Sequence, residues 1–165
     1  MFTSIYRNLE EMENKVAELL ELCEGKPIDH VRISLKMALI NALFHSTLGS
    51  ISTLKVNIDG HIQSLDILAD NSAVDGVVNA LTATSQAYQL WNTWENLSSP
   101  VKWLGGASVA VFSGLAYGNY RNYKLSKEAL KDLKEKMREV VDLQDRLQLL
   151  HQQALQAISV IQPQH

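Results

Sequence analysis

The groups in this chain with intrinsic reactivity are five histidines, one cysteine and eighteen acidic residues, and their spacing decides what chemistry is open to them. His30, His45, His61, His151 and His165 never stand three or four residues from one another or from a carboxylate. Neither an H-E-x-x-H zinc motif nor a Glu-x-x-His di-iron motif can therefore form on a helix. These histidines read as surface or packed residues; His45 and His151 fall on apolar faces, where protonation would disturb packing.

The run Asp70-Asn71-Ser72-Ala73-Val74-Asp75-Gly76 resembles a calcium loop only superficially. Its glycine falls one place late, and Leu81 occupies the position of the bidentate glutamate. Gly105-Gly106 with Gly114 makes no phosphate loop, because no strand precedes it and no Gly-Lys-Ser/Thr follows. Cys23 has no base at a recognisable spacing and sits on a helical seam, so it reads as a small core residue. As the only cysteine it forms no intrachain disulfide. Asn96-Leu97-Ser98 matches the glycosylation acceptor pattern, which matters only in a luminal compartment. The expectation is a non-enzymatic protein without cofactor or metal.

What the sequence offers instead is packing surface, concentrated in residues 100–123. Small residues recur every four positions at Gly106, Ala110, Gly114 and Gly118, a helix-contact face that admits a second backbone closely. Trp91, Trp94 and Trp103 lie before or at the start of the stretch and Tyr117, Tyr120 and Tyr123 end it, the arrangement of membrane-interface aromatics. Arg121, Lys124, Lys127 and Lys131 follow as basic lipid-facing candidates. Acidic residues interleave with them at helix-pair spacing, which argues against nucleic acid. Residues 101–120 are the expected membrane segment, although Gly105, Gly106, Ser108, Ser113 and Gly114 add little transfer energy. A second uncharged stretch, 37–54, reads as core or as a marginal partner span.

These features need long helices to position them, and the composition supplies them. With 165 residues, three Pro and eight Gly, the chain favours uninterrupted helices in one domain, 1–165. The formal charge of −3 conceals an acidic start (1–30) and a basic stretch (121–138). The first residues carry glutamates and no basic-then-apolar pattern, so neither a secretory signal nor a transit peptide is expected.

Four helical tracts are predicted. Residues 4–24 place Ile5, Leu9, Met12, Val16, Leu19 and Cys23 on one seam, ended by Gly25-Lys26-Pro27. In 28–69 the stripe runs from Ile33 through Met37, Ile40, Phe44, Ile51 and Ile58 to Leu68; Asp59-Gly60 raises a competing hairpin that the failed alternation after it disfavours. Asp70-Asn71-Ser72 is expected to cap a third tract, 72–98, with Val74, Val77, Leu81, Tyr88, Trp91 and Trp94 on its apolar side. Ser99-Pro100 restarts the helix for 100–161, with a candidate break at 118–119 and a three-four seam from Leu130 to Ile161.

The sequence thus points to an all-α fold: an elongated bundle or hairpin with coiled-coil-like heptad seams and a Gly/Ala-rich hydrophobic helix. The function expected is that of an intracellular, membrane-associated scaffold binding protein partners or further copies of itself, with lipid as a further contact. The alternatives are a soluble helical-bundle adaptor or regulator, and a membrane-inserting, pore-forming or remodelling effector.

Overall fold

A computed structural model describes residues 2–25 and 27–161; Lys26 of the expected stop and His165 lie outside them. The described chain is all-helical and contains no strand: α1 (Phe2–Glu24), α2 (His30–Thr93), a single 3-10 turn (Trp94–Asn96) and α3 (Ser99–Ser159). Three long helices replace the four expected tracts, because 28–69 and 72–98 fuse into α2.

The helix ends follow local chemistry. After α1, the Gly25 amide still bonds the Glu21 carbonyl at 3.2 Å. The Asp29 carboxylate then accepts the Arg32 amide at 3.1 Å, satisfying a donor that the first turn of α2 leaves unpaired. At the other end Leu97 is extended and breaks the helix. Pro100 is the second residue of α3, where its missing N–H costs nothing.

Three interior signals of a break are overridden. Gly60 lies inside α2, so the hairpin reading of Asp59-Gly60 fails; one helical glycine costs only about 1 kcal/mol. Asp70-Asn71-Ser72 is helical because Ala69 and Ser72 are buried in a helix contact, and packing outweighs their weak propensity. Gly118-Asn119 is likewise continuous helix, with Asn119 packed against Gly76.

The chain divides into two compact units, Met1–Asp59 with Glu135–His165, and Gly60–Lys134. The first is a three-helix bundle. From α1 it buries Ile5, Leu9, Met12, Val16 and Leu19, all at most 3% exposed. Ile33, Met37, Ile40, Ile51 and Ile58 of α2 and Val140, Leu143, Leu147 and Ala154 of α3 complete the core. Polar contacts fix its directions: Tyr6 donates to Glu139 at 2.7 Å and Arg146 pairs with Glu13, so α1 and α3 run parallel. Asn8 donates to the buried Thr47 at 3.1 Å and Lys36 pairs with Glu18, so α2 runs against α1. Each fully buried Leu or Ile contributes about 1.5–3 kcal/mol, which makes this seam the source of the unit's stability.

The second unit is an antiparallel hairpin of the end of α2 and the start of α3. Leu90 meets Gly105, the Ser108 hydroxyl donates to Gln86 Oε1 at 2.6 Å, Gly76 meets Asn119, and Lys127 lies 3.6 Å from Asp66. These pairs fix one register along its length.

Candidate functional site

The hairpin of Gly60–Lys134 is packed the opposite way from the three-helix unit. Its buried residues, among those described, are Ala69, Ser72, Ala83, Ser126 and Leu130, four of them Ala or Ser. Half-buried Gly76, Asn79, Gln86, Ser108, Ala116 and Asn119 continue the seam. The large apolar side chains are outside: Trp91 is 82% exposed, Trp103 81%, Leu104 71% and Leu81 66%, with Val74, Val77, Val78, Val111 and Tyr88 also exposed. A helix pair in water buries its large apolar residues. Here the apolar side of the predicted third tract, from Val74 to Trp94, faces outward, and the contact is made by small and polar residues together with Leu90, Val109, Phe112 and Leu130.

Charge follows the same division. From residue 76 to residue 120 only Glu95 and Lys102 are charged, and both lie at the tip of the hairpin. Lys102 Nζ sits 5.0 Å from the centre of the Trp94 ring, a cation–π contact. Two open grooves flank this tip. One, of about 730 Å³, is lined by Leu90, Trp91, Trp94, Gly106 and Val109 among others; a second, of about 610 Å³, by Trp94, Lys102, Trp103, Gly106 and Ala110.

The expected helix-contact face takes no part in the hairpin's own packing. A Cβ added at Gly106, Gly114 or Gly118 would meet nothing within 4 Å, and Gly106, Ala110 and Gly114 are exposed. The glycines that admit a close neighbour are Gly105, where a Cβ would come within 2.7 Å of Leu90 Cδ1, and Gly76, where it would lie 3.4 Å from Asn119 Cβ. Of the aromatics, Trp91, Trp94, Trp103, Tyr117 and Tyr120 are exposed, and Tyr123 is half-buried beneath Lys127. Among the basic candidates, Arg121, Lys124 and Lys131 are exposed, while Lys127 is drawn to Asp66 and, at 4.0 Å, to Asp70. With Asp75 on the same α2 segment, these acids offset much of the basic cluster.

Length and composition single out one helix as able to cross a membrane among the described residues, within His30–Asn96, and 17% of its most apolar stretch is buried. A core helix of a soluble protein, or a signal sequence, passes the same test. Neither residues 76–94 of α2 nor residues 101–120 of α3 reach it, since Asn, Gln, Ser and Thr in the first and glycines and serines in the second dilute the apolar content.

In the three-helix unit one titratable cluster stands out. The His151 ring stacks on Phe44 at 4.0 Å between centroids, and its Nε2 lies 2.8 Å from Asn41 Oδ1. Asn41 Oδ1 is an acceptor, so the neutral ring carries its proton on Nε2. Burial, then the nearby His45, pushes the His151 pKa below the ordinary histidine value. The arrangement is a satisfied polar contact within a core. No three His, Cys, Asp or Glu side chains among the described residues come together as metal ligands.

No protein-family model matches the chain, and neither a curated protein nor a solved structure matches it.

Proposed function

We propose that the protein is a non-enzymatic, membrane-associated helical interaction protein, in which the Gly60–Lys134 hairpin seats its outer surface in lipid. The observation supporting this most directly is the inverted packing: Ala and Ser are buried between the helices while Trp91, Trp103, Leu104 and Leu81 are exposed. Lipid contact removes that surface from water at about 25 cal/mol per Å², while helix pairing in lipid works through small residues and polar contacts. Exposed apolar patches of this extent mark interaction surfaces on soluble proteins as well. What favours lipid over a protein partner is the absence of charge along the arms, since protein interfaces carry a polar rim. The open Gly106–Ala110–Gly114 line then serves contacts with partners or further copies.

Flotation with phosphatidylcholine vesicles tests the reading. The full chain rises with the vesicles and stays bound in high salt, because the contact is apolar and the basic cluster is offset by Asp66, Asp70 and Asp75. A chain that remains soluble and at the bottom of the gradient is an adaptor, and the membrane reading is wrong. Recovery without detergent followed by vesicle binding identifies an inserting effector; recovery only in detergent identifies a constitutively seated protein.

A further inference from the structure

We infer that the hairpin crosses the bilayer as a unit, tip first, with segments 76–94 and 103–120 as two antiparallel spans and residues 95–102 on the far side. This rests on the membrane reading above and specifies its geometry. The charge-free limits of the two arms coincide across the hairpin. Asp75 and Arg121 bound them at the base, where Gly76 packs against Asn119, and Glu95 and Lys102 bound them at the tip. The arms contain 19 and 18 residues, about 28 and 27 Å of helix, against a hydrocarbon core of about 30 Å. Trp91, Trp94 and Trp103 mark one end of that length and Tyr117 and Tyr120 the other, matching the two interfaces.

Part of the polar content of the arms is paired within the hairpin, while Ser85, Gln89, Asn92 and Ser113 are exposed. Gln86 and Ser108 bond each other at 2.6 Å, and Asn79 and Asn119 lie on the helix–helix seam. Three threonine hydroxyls are satisfied within their own helix: Thr82 donates to the Val78 carbonyl, Thr84 to Ala80 and Thr93 to Gln89, each at 2.8–2.9 Å. Water is not needed for those groups. A helix lying along the interface instead needs a charged or strongly polar side facing water. Neither arm has a charge on any side between its limits, and this favours spanning over lying flat, although Ser85, Gln89 and Asn92 give the first arm an exposed polar side. Neither arm is apolar enough to cross as a single span, and in the pair each covers the seam-facing side of the other.

Cysteine accessibility in the full chain tests this. In a Cys23→Ser background, Ser98→Cys places one thiol at the tip and Ser64→Cys places one toward the base. Protein is added to sealed phosphatidylcholine vesicles, floated, and exposed to a membrane-impermeant charged maleimide. The expected result is labelling of Ser64→Cys from outside, loss of external labelling of Ser98→Cys until detergent is added, and labelling of Ser98→Cys by reagent trapped in the lumen. External labelling of Ser98→Cys in floated protein overturns the crossing while leaving membrane association intact. Failure of either variant and of the parent chain to float overturns the membrane reading and this inference with it.

Discussion

Gly76 of α2 faces Asn119 of α3 so closely that a Cβ on the glycine would lie 3.4 Å from the asparagine Cβ, whereas a Cβ on Gly114 would meet nothing within 4 Å. Gly76 therefore lies on the helix–helix contact and Gly114 lies off it. Gly76→Leu overpacks the seam and destabilises the hairpin by about 1–3 kcal/mol. Gly114→Ala meets open space and gains about 0.8–1 kcal/mol of helix propensity. Chemical denaturation of the two variants reads opposite signs; destabilisation of similar size in both would contradict the register.

The Ser108–Gln86 bond is the direct polar link between the arms. Gln86→Leu leaves the serine hydroxyl without its acceptor and costs about 0.5–1.5 kcal/mol, while the double change Gln86→Leu/Ser108→Ala recovers most of that loss. Amide exchange across residues 76–94 measures both. A double variant no better protected than the single one would mean that the bond is not what holds the arms.

Leu147 and Leu81 are the same residue type in opposite surroundings, fully buried in the three-helix unit and 66% exposed on the hairpin. Leu147→Ala removes core volume and costs about 2–5 kcal/mol, read as a lowered Tm. Leu81→Ala changes stability in water by less than about 0.5 kcal/mol but weakens vesicle binding. A large loss of stability from Leu81→Ala would show that its face is covered within the fold.

His151 gives the three-helix unit a pH dependence of definite sign. Its folded pKa lies below the ordinary value of 6.5, so the unfolded chain takes up the proton first as pH falls. Stability is full above pH 6.5 and declines from there down through the depressed folded value. His151→Gln removes this slope, and thermal melts between neutral and mildly acidic pH check it; an unchanged slope assigns the effect to other groups. Glu139 adds a separate loss at lower pH. Its carboxyl is held below the usual range first by Lys136 and then by Tyr6, so that contribution disappears as pH falls through the carboxylate range.

The three-helix unit was largely legible in the sequence because its seams are built from large apolar residues at three-four spacing. Ile5 to Leu19, Ile33 to Ile58 and Val140 to Ala154 face inward as that spacing requires. The stop at Gly25 and the restart at Ser99-Pro100 were equally plain. The hairpin was harder to read because its seam alternates four and three through Ala69, Ser72, Gly76, Asn79, Ala83 and Gln86, residues that a search for apolar periodicity passes over. Val74, Val77 and Leu81 looked like a core stripe because soluble helices bury such residues, and here they do not.

The glycine line lies off the hairpin's own seam for a geometric reason. A strict four-residue step advances about 40° around the helix each time, so Gly106, Ala110, Gly114 and Gly118 drift away from the seam that α3 shares with α2. The actual seam, Gly105, Val109, Phe112, Ala116 and Asn119, alternates four and three and stays in place. Its signal was a backward continuation of the Leu130–Ile161 pattern. The fusion of α2 through residues 70–72 had no local signal, since it depends on Ala69 and Ser72 being packed from across the hairpin.

All three tryptophans, Trp91, Trp94 and Trp103, belong to the hairpin and none to the three-helix unit, so intrinsic fluorescence reports on the proposed membrane element alone. Trp91 and Trp103 are more than four-fifths exposed in the isolated chain. The most direct measurement is the tryptophan emission of the unmodified protein as phosphatidylcholine vesicles are added, repeated with brominated lipid. A shift of the emission to the blue together with quenching by the bromines is the predicted result. An emission spectrum that neither shifts nor quenches at saturating lipid would contradict the account.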